Sequence, residues 1–124
     1  MTIEEINKFE KIHLQLKSFY REISEISKKA PNDAVNEFKL KYINHTLVDA
    51  NTILKEQYKP FDDFDTFDLQ SIPFNSDIVL ILSQYLNSME NFKAHNTTSS
   101  MGDWFWISDS KTRIETTRPT TAPL

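Results

Sequence analysis

At 124 residues, with no cysteine and a single glycine, the chain has room for one core but not for disulfides, thiolate metal sites or a glycine-rich phosphate loop. Its net charge of -4 argues against a generic grip on nucleic acid. A mean hydropathy of -0.50 and the lack of any apolar run approaching about 18 residues argue against a membrane span, and with no secretory leader expected at Met1 the expected location is cytoplasmic.

Residues Thr2 to Lys29 predict a long amphipathic helix. Ile3, Ile6, Phe9, Ile12, Leu16, Phe19, Ile23 and Ile26 recur at helical spacings along one face. Thr2 with Glu5 has the spacing of a capping box, Lys28 and Lys29 suit the negative end of the helix, and Pro31 enforces the stop. A second helix is expected from a cap at Asn32 or Asp33 to about Gln57, with Leu40, Ile43, Leu47, Ala50 and Leu54 as its stripe and Pro60 closing it. The short connection predicts an antiparallel pair.

The segment from Pro60 to Phe74 has a different texture. Phe61, Phe64 and Phe67 share a spacing of three, as do Asp62, Asp65 and Asp68. That spacing suits a 3₁₀ turn or short helix, and the segment contains no glycine. It reads as an ordered crossover with phenylalanines inward and aspartates outward. A third helix follows, capped at Ser76 or Asp77, with Ile78, Leu82, Tyr85, Met89 and Phe92 on one face and Val79, Ile81 and Leu86 beside it. A helix so widely apolar is expected to be central.

His95 to Ser100 reads as a polar joint ending at Met101-Gly102. Strands are then expected over Trp104–Ile107 and Thr112–Thr117, around a turn at Ser108–Lys111. The fold class is therefore mainly α: a three-helix antiparallel bundle with an ordered acidic crossover and a small C-terminal β-hairpin. Residues 1–117 form one domain, and the proline-bearing tail 118–124 is expected to be mobile.

Motifs for chemistry are sparse. Glu10 and His13 make one ExxH, and His45 with Asp49 is an i,i+4 pair, but a helical di-metal site needs a second ExxH and further inward glutamates. Glu10 and His13 also lie off the apolar stripe, on a face expected to meet water. No metal or other cofactor is implied, and no nucleophile elbow is present. A calcium loop would need a glycine at its turn, which the acidic crossover lacks. Asp62 and Asp65 offer instead an acidic-aromatic surface for a basic partner.

The hairpin is the second candidate contact. Alternation sets Phe105 and Ile107 opposite Trp104 and Trp106. A two- or four-residue loop groups Ile114 with Phe105 and Ile107 as the packed face, leaving Trp104, Trp106 and Arg113 together as a stacking surface. A three-residue loop moves Ile114 to the tryptophan face, and burial of both faces would leave no such surface.

These readings predict a non-enzymatic binding protein that self-associates and works through contacts with a protein partner or a small nucleotide ligand. Size and a Lys-, Asn- and Ile-rich composition fit a phage- or mobile-element-type inhibitor that sequesters a nucleotide signal or blocks a host protein. The rival expectation is a small hydrolase or nucleotide-processing enzyme with scattered site residues.

Overall fold

The computed structural model describes residues 1–109 and 112–120. Three helices carry most of the chain: α1 (Ile3–Lys29), α2 (Glu37–Tyr58) and α3 (Asn75–His95). Strands β1 (Thr97–Ser100), β2 (Asp103–Trp106) and β3 (Glu115–Thr116) form one antiparallel sheet in that order. No helix among the described residues is long and apolar enough to cross a membrane.

The expected capping box at the start of α1 is present. Glu5 N donates to Thr2 Oγ1 at 3.1 Å, and Thr2 N donates back to Glu5 Oε1 at 3.2 Å. Helix α2 begins later than expected. Its cap is Asn36, whose Oδ1 accepts from Lys39 N at 3.1 Å. Asn32 and Asp33 are kept out of the helix by pairing between the two linkers. Val35 N donates to Pro73 O, Asn75 N to Asp33 O, and Ala34 forms an antiparallel bridge with Phe74. Helix α3 starts slightly earlier than expected, and Asp77 acts at its third position: its Oδ2 accepts from Phe74 N at 2.9 Å.

The predicted stripes meet in one core. Ile6, Phe9, Ile12, Leu16 and Ile23 of α1, Leu40, Ile43, Leu47, Ala50 and Leu54 of α2, and Ile78, Leu82, Tyr85 and Met89 of α3 are all buried. Contacts fix the helix directions. Lys39 reaches Glu22 and Thr46 reaches Gln15, so α2 runs antiparallel to α1; Phe9 stacks on Phe92 while His13 faces Glu90, so α3 does too. Asn51 bonds Tyr85 and Tyr58 bonds His95, which makes α2 and α3 parallel.

Parallel neighbours require a connection that travels the length of the bundle, and the acidic crossover is that connection. It is turns and bends rather than a 3₁₀ helix, and side chains of α2 hold it. Asn44 grips the Phe67 backbone twice, donating to O and accepting from N, both at 2.9 Å, and Asn51 Nδ2 donates to Asp65 O at 2.9 Å. Phe64 and Phe67 pack edge to face at 5.0 Å and join the core cluster, whereas Phe61 does not. Asp62, Asp65 and Asp68 are exposed. Replacing Phe64 with Ser is therefore expected to cost about 2 kcal/mol, against less than about 0.5 kcal/mol for Asp62→Asn. Urea denaturation of the two variants checks this; equal midpoints would overturn the inside–outside arrangement.

Candidate functional site

The polar joint after α3 is itself a strand. Ser100 pairs with Asp103, and the two residues between them, Met101 at φ 53° and Gly102 at φ 87°, make a tight turn with both φ positive. That is the type I′ geometry that suits hairpin twist, and it uses the one glycine of the chain. Strand β2 is thus central rather than half of a two-stranded hairpin. In β2–β3 pairing Phe105 faces Glu115 and Trp104 faces Thr116, and Trp106 N donates to Ile114 O at 2.9 Å. The connection between them includes residues 110 and 111, so part of the expected Ser108–Lys111 turn lies outside the described residues.

This register places Ile114 with the tryptophans, not with Phe105. The inward face of the sheet is Trp106, Ile114 and Thr97, with Trp106 3% exposed and its indole edge to face with Phe9 at 5.0 Å. Arg113 lies on the other side, its guanidinium 4.9 Å from the centre of the Phe105 ring. Trp104 is half-buried, and Ile107, expected in the packed face, is 52% exposed. The structure therefore does not bring Trp104, Trp106 and Arg113 together. Of the acidic pair, Asp65 bonds Lys59 of the neighbouring turn and Asp62 is exposed.

What fastens the sheet is a part-buried polar cluster that includes Glu10, which the sequence reading placed on a water-facing side. Glu10 Oε1 accepts from Trp106 Nε1 and from Thr116 Oγ1, each at 2.8 Å. Lys93, 2% exposed, donates from Nζ to Thr117 Oγ1 at 2.7 Å. Glu90 Oε2 accepts from Thr120 N at 3.1 Å, and Pro119 is buried. The segment 118–120, expected to be mobile, is thus held against α3, while residues 121–124 lie outside the described ones. His13, 2% exposed, stands 3.4 Å from Glu90 Oε1, and its Nε2 makes no hydrogen bond.

Glu10 is half-buried because the sheet is a third neighbour of α1, and His13 is buried against Phe9 and Glu90. The helices cover its apolar stripe and the sheet covers the adjoining arc, so its buried face is wider than the periodicity implies. The legible signal was the indole N–H of Trp106, which needs an acceptor once buried. Burial pushes the His13 imidazole down to about 3, with smaller contributions from Lys17 and Lys93. Burial likewise lowers Lys93, against the opposing pull of Glu10 and Glu90. Perturbed ionisable groups often mark active sites. Here His13 and Lys93 are sealed from solvent: Lys93 holds the C-terminal segment at Thr117, and His13 faces Glu90 of α3.

An open cleft lies at the other polar feature, the bundle end where the first turn of α1 meets the last turns of α2 and α3. It encloses about 500 Å³, and its lining includes Lys8, Lys55, Tyr58, Phe92 and Asn96. Tyr58 and Phe92 meet edge to face at 5.1 Å, and the Tyr58 hydroxyl bonds His95 Nδ1 at 2.8 Å, which locks the ring. Glu5 also lines the cleft, but its carboxylate is already engaged: hydrogen bonds from Thr2 hold it below the usual range, with a smaller pull from Lys55. The unusual backbone of the molecule is here as well. Lys55 has φ 55° and ψ -173°, a conformation that only glycine adopts readily, and it breaks α2 one turn before its end. Among the described residues no three His, Cys, Asp or Glu side chains gather as a metal site.

Fold and site together define a helical bundle with a clasped C-terminal sheet and an amine-lined aromatic cleft at one end. No protein-family model, curated protein or solved structure matches the chain.

Proposed function

We propose that this chain is a non-enzymatic binding protein that sequesters a nucleotide in the cleft at the bundle end. The observation that carries the reading is Lys55, a non-glycine residue in a glycine conformation on the wall of the bundle-end cleft. Such strain costs on the order of 1–3 kcal/mol and persists where the surrounding structure enforces it, commonly at ligand sites. Two amines, Lys8 and Lys55, beside the rings of Tyr58 and Phe92 suit a ligand that is both anionic and planar. The sealed state of His13 and Lys93 favours holding over turnover, because acid–base groups must reach the reacting atoms.

Lys55→Gly separates stability from binding. It is expected to raise stability by about 1 kcal/mol, the relieved strain less the entropy that glycine adds to the unfolded chain. The same change removes an amine and is expected to weaken binding of AMP or ADP, measured by calorimetry. Nucleotide recovered unchanged in mass after heat denaturation supports sequestration, and a changed mass would establish the rival nucleotide-processing enzyme. One feature favours a protein partner instead: on the outer face of α2, Phe38 is 69% exposed and packs against Tyr42. If no nucleotide binds at millimolar concentration, that reading takes precedence.

A further inference from the structure

A second cavity, of about 240 Å³, lies in the groove between α1 and α2, and its lining includes Lys8, Lys11, Tyr42, His45 and Asp49. Lys8 lines both this cavity and the end cleft. Each half offers a pair of rings: Tyr58 with Phe92 at one end, and Tyr42 with His45, edge to face at 5.7 Å, at the other. His45 and Ile53, which line the two halves on α2, are separated by about 12 Å at the helical rise per residue. The shared amine therefore stands between two aromatic stations. Asp49 is the one carboxylate of the second cavity, set against the amines of Lys8 and Lys11.

Resting on the nucleotide-binding reading above, we propose that the two cavities form one bipartite site for two nucleobases joined through phosphate, with the linking anion at Lys8. A mononucleotide fills only the end cleft. A ligand with a ring at each end and charge between them occupies both, and stacking of the second ring adds affinity without new chemistry. Lys11 contributes the amine found only in the groove half.

The test compares AMP with the linear dinucleotide pApA and with diadenosine triphosphate by calorimetry on the full chain. At least one of the two-base ligands is expected to bind about tenfold or more tightly than AMP, and which one does so distinguishes a phosphodiester from a polyphosphate link. Lys11→Glu and His45→Ala, both at exposed positions, are expected to erase that advantage while changing the AMP affinity less than about twofold. Melting curves of the variants verify that they fold. Equal affinities for one- and two-base ligands, or a two-base advantage that survives Lys11→Glu, would overturn the bipartite site and leave the end cleft intact. Absence of binding by AMP as well as by both two-base ligands would overturn the nucleotide reading itself.

Discussion

Trp106→Ala is expected to destabilise the protein by about 3–5 kcal/mol, the range for truncating a large buried aromatic. Trp106 is 3% exposed and packs edge to face on Phe9, which in turn stacks on Phe92, so its removal opens a void between the sheet and two helices. It also takes from the Glu10 carboxylate one of its two described donors, leaving Thr116. Trp106→Phe restores part of the volume but not the N–H, and is expected to fall between wild type and Ala. Guanidinium denaturation of the three proteins measures the series. A loss below about 1 kcal/mol for the alanine variant would mean that the sheet is not docked on the bundle. By contrast, Arg113→Ala, which removes the described contact over Phe105 on the outer face, is expected to stay within about 1 kcal/mol.

Stability is expected to fall steeply with acid because of His13. Its folded value is about 3 against an ordinary 6.5, so the unfolded chain binds the proton first. The stabilisation associated with keeping the imidazole neutral is fully present above pH 6.5 and is lost as pH falls from there toward 3. The slope is about 1.4 kcal/mol per pH unit for one proton, or roughly 2–3 kcal/mol between pH 6.5 and 4.5. Other groups titrate in the same window, so the informative quantity is the difference between wild type and His13→Gln at each pH. The variant is expected to lose less stability on acidification by that amount. Parallel curves for the two proteins would show that His13 is not held neutral inside the fold.

The helices were legible because their determinants are local. An apolar repeat of three and four, the Thr2–Glu5 box and Pro31 act between residues close in sequence, and the stripes of α1, α2 and α3 are buried as their spacing implies. The crossover was legible for a related reason: a glycine-free run with phenylalanine at every third place can bury one side, although only Phe64 and Phe67 join the core. The start of α2 was not legible. Asn32 and Asp33 are acceptable caps by type, but the backbone of residues 33–35 is committed to pairing with residues 73–75, about forty positions away.

The candidate site was less legible still. An odd or even loop decides which side chains share a face of a strand, and that parity shifted Ile114 to Trp106 and parted Arg113 from the tryptophans. Glu10 and His13 are polar and off the stripe; the sheet arrives on Glu10, and His13 is buried where α1 meets Glu90 of α3. Lys55 carries no sequence mark of its positive-φ backbone, because sterics disfavour that conformation for lysine and local sequence would not predict it. Composition and periodicity determined three helices, their inward faces and an anchored crossover. Tertiary structure alone decided the strand register, the buried clasp and the cleft, since each arises where segments distant in sequence meet and compete for the same surface.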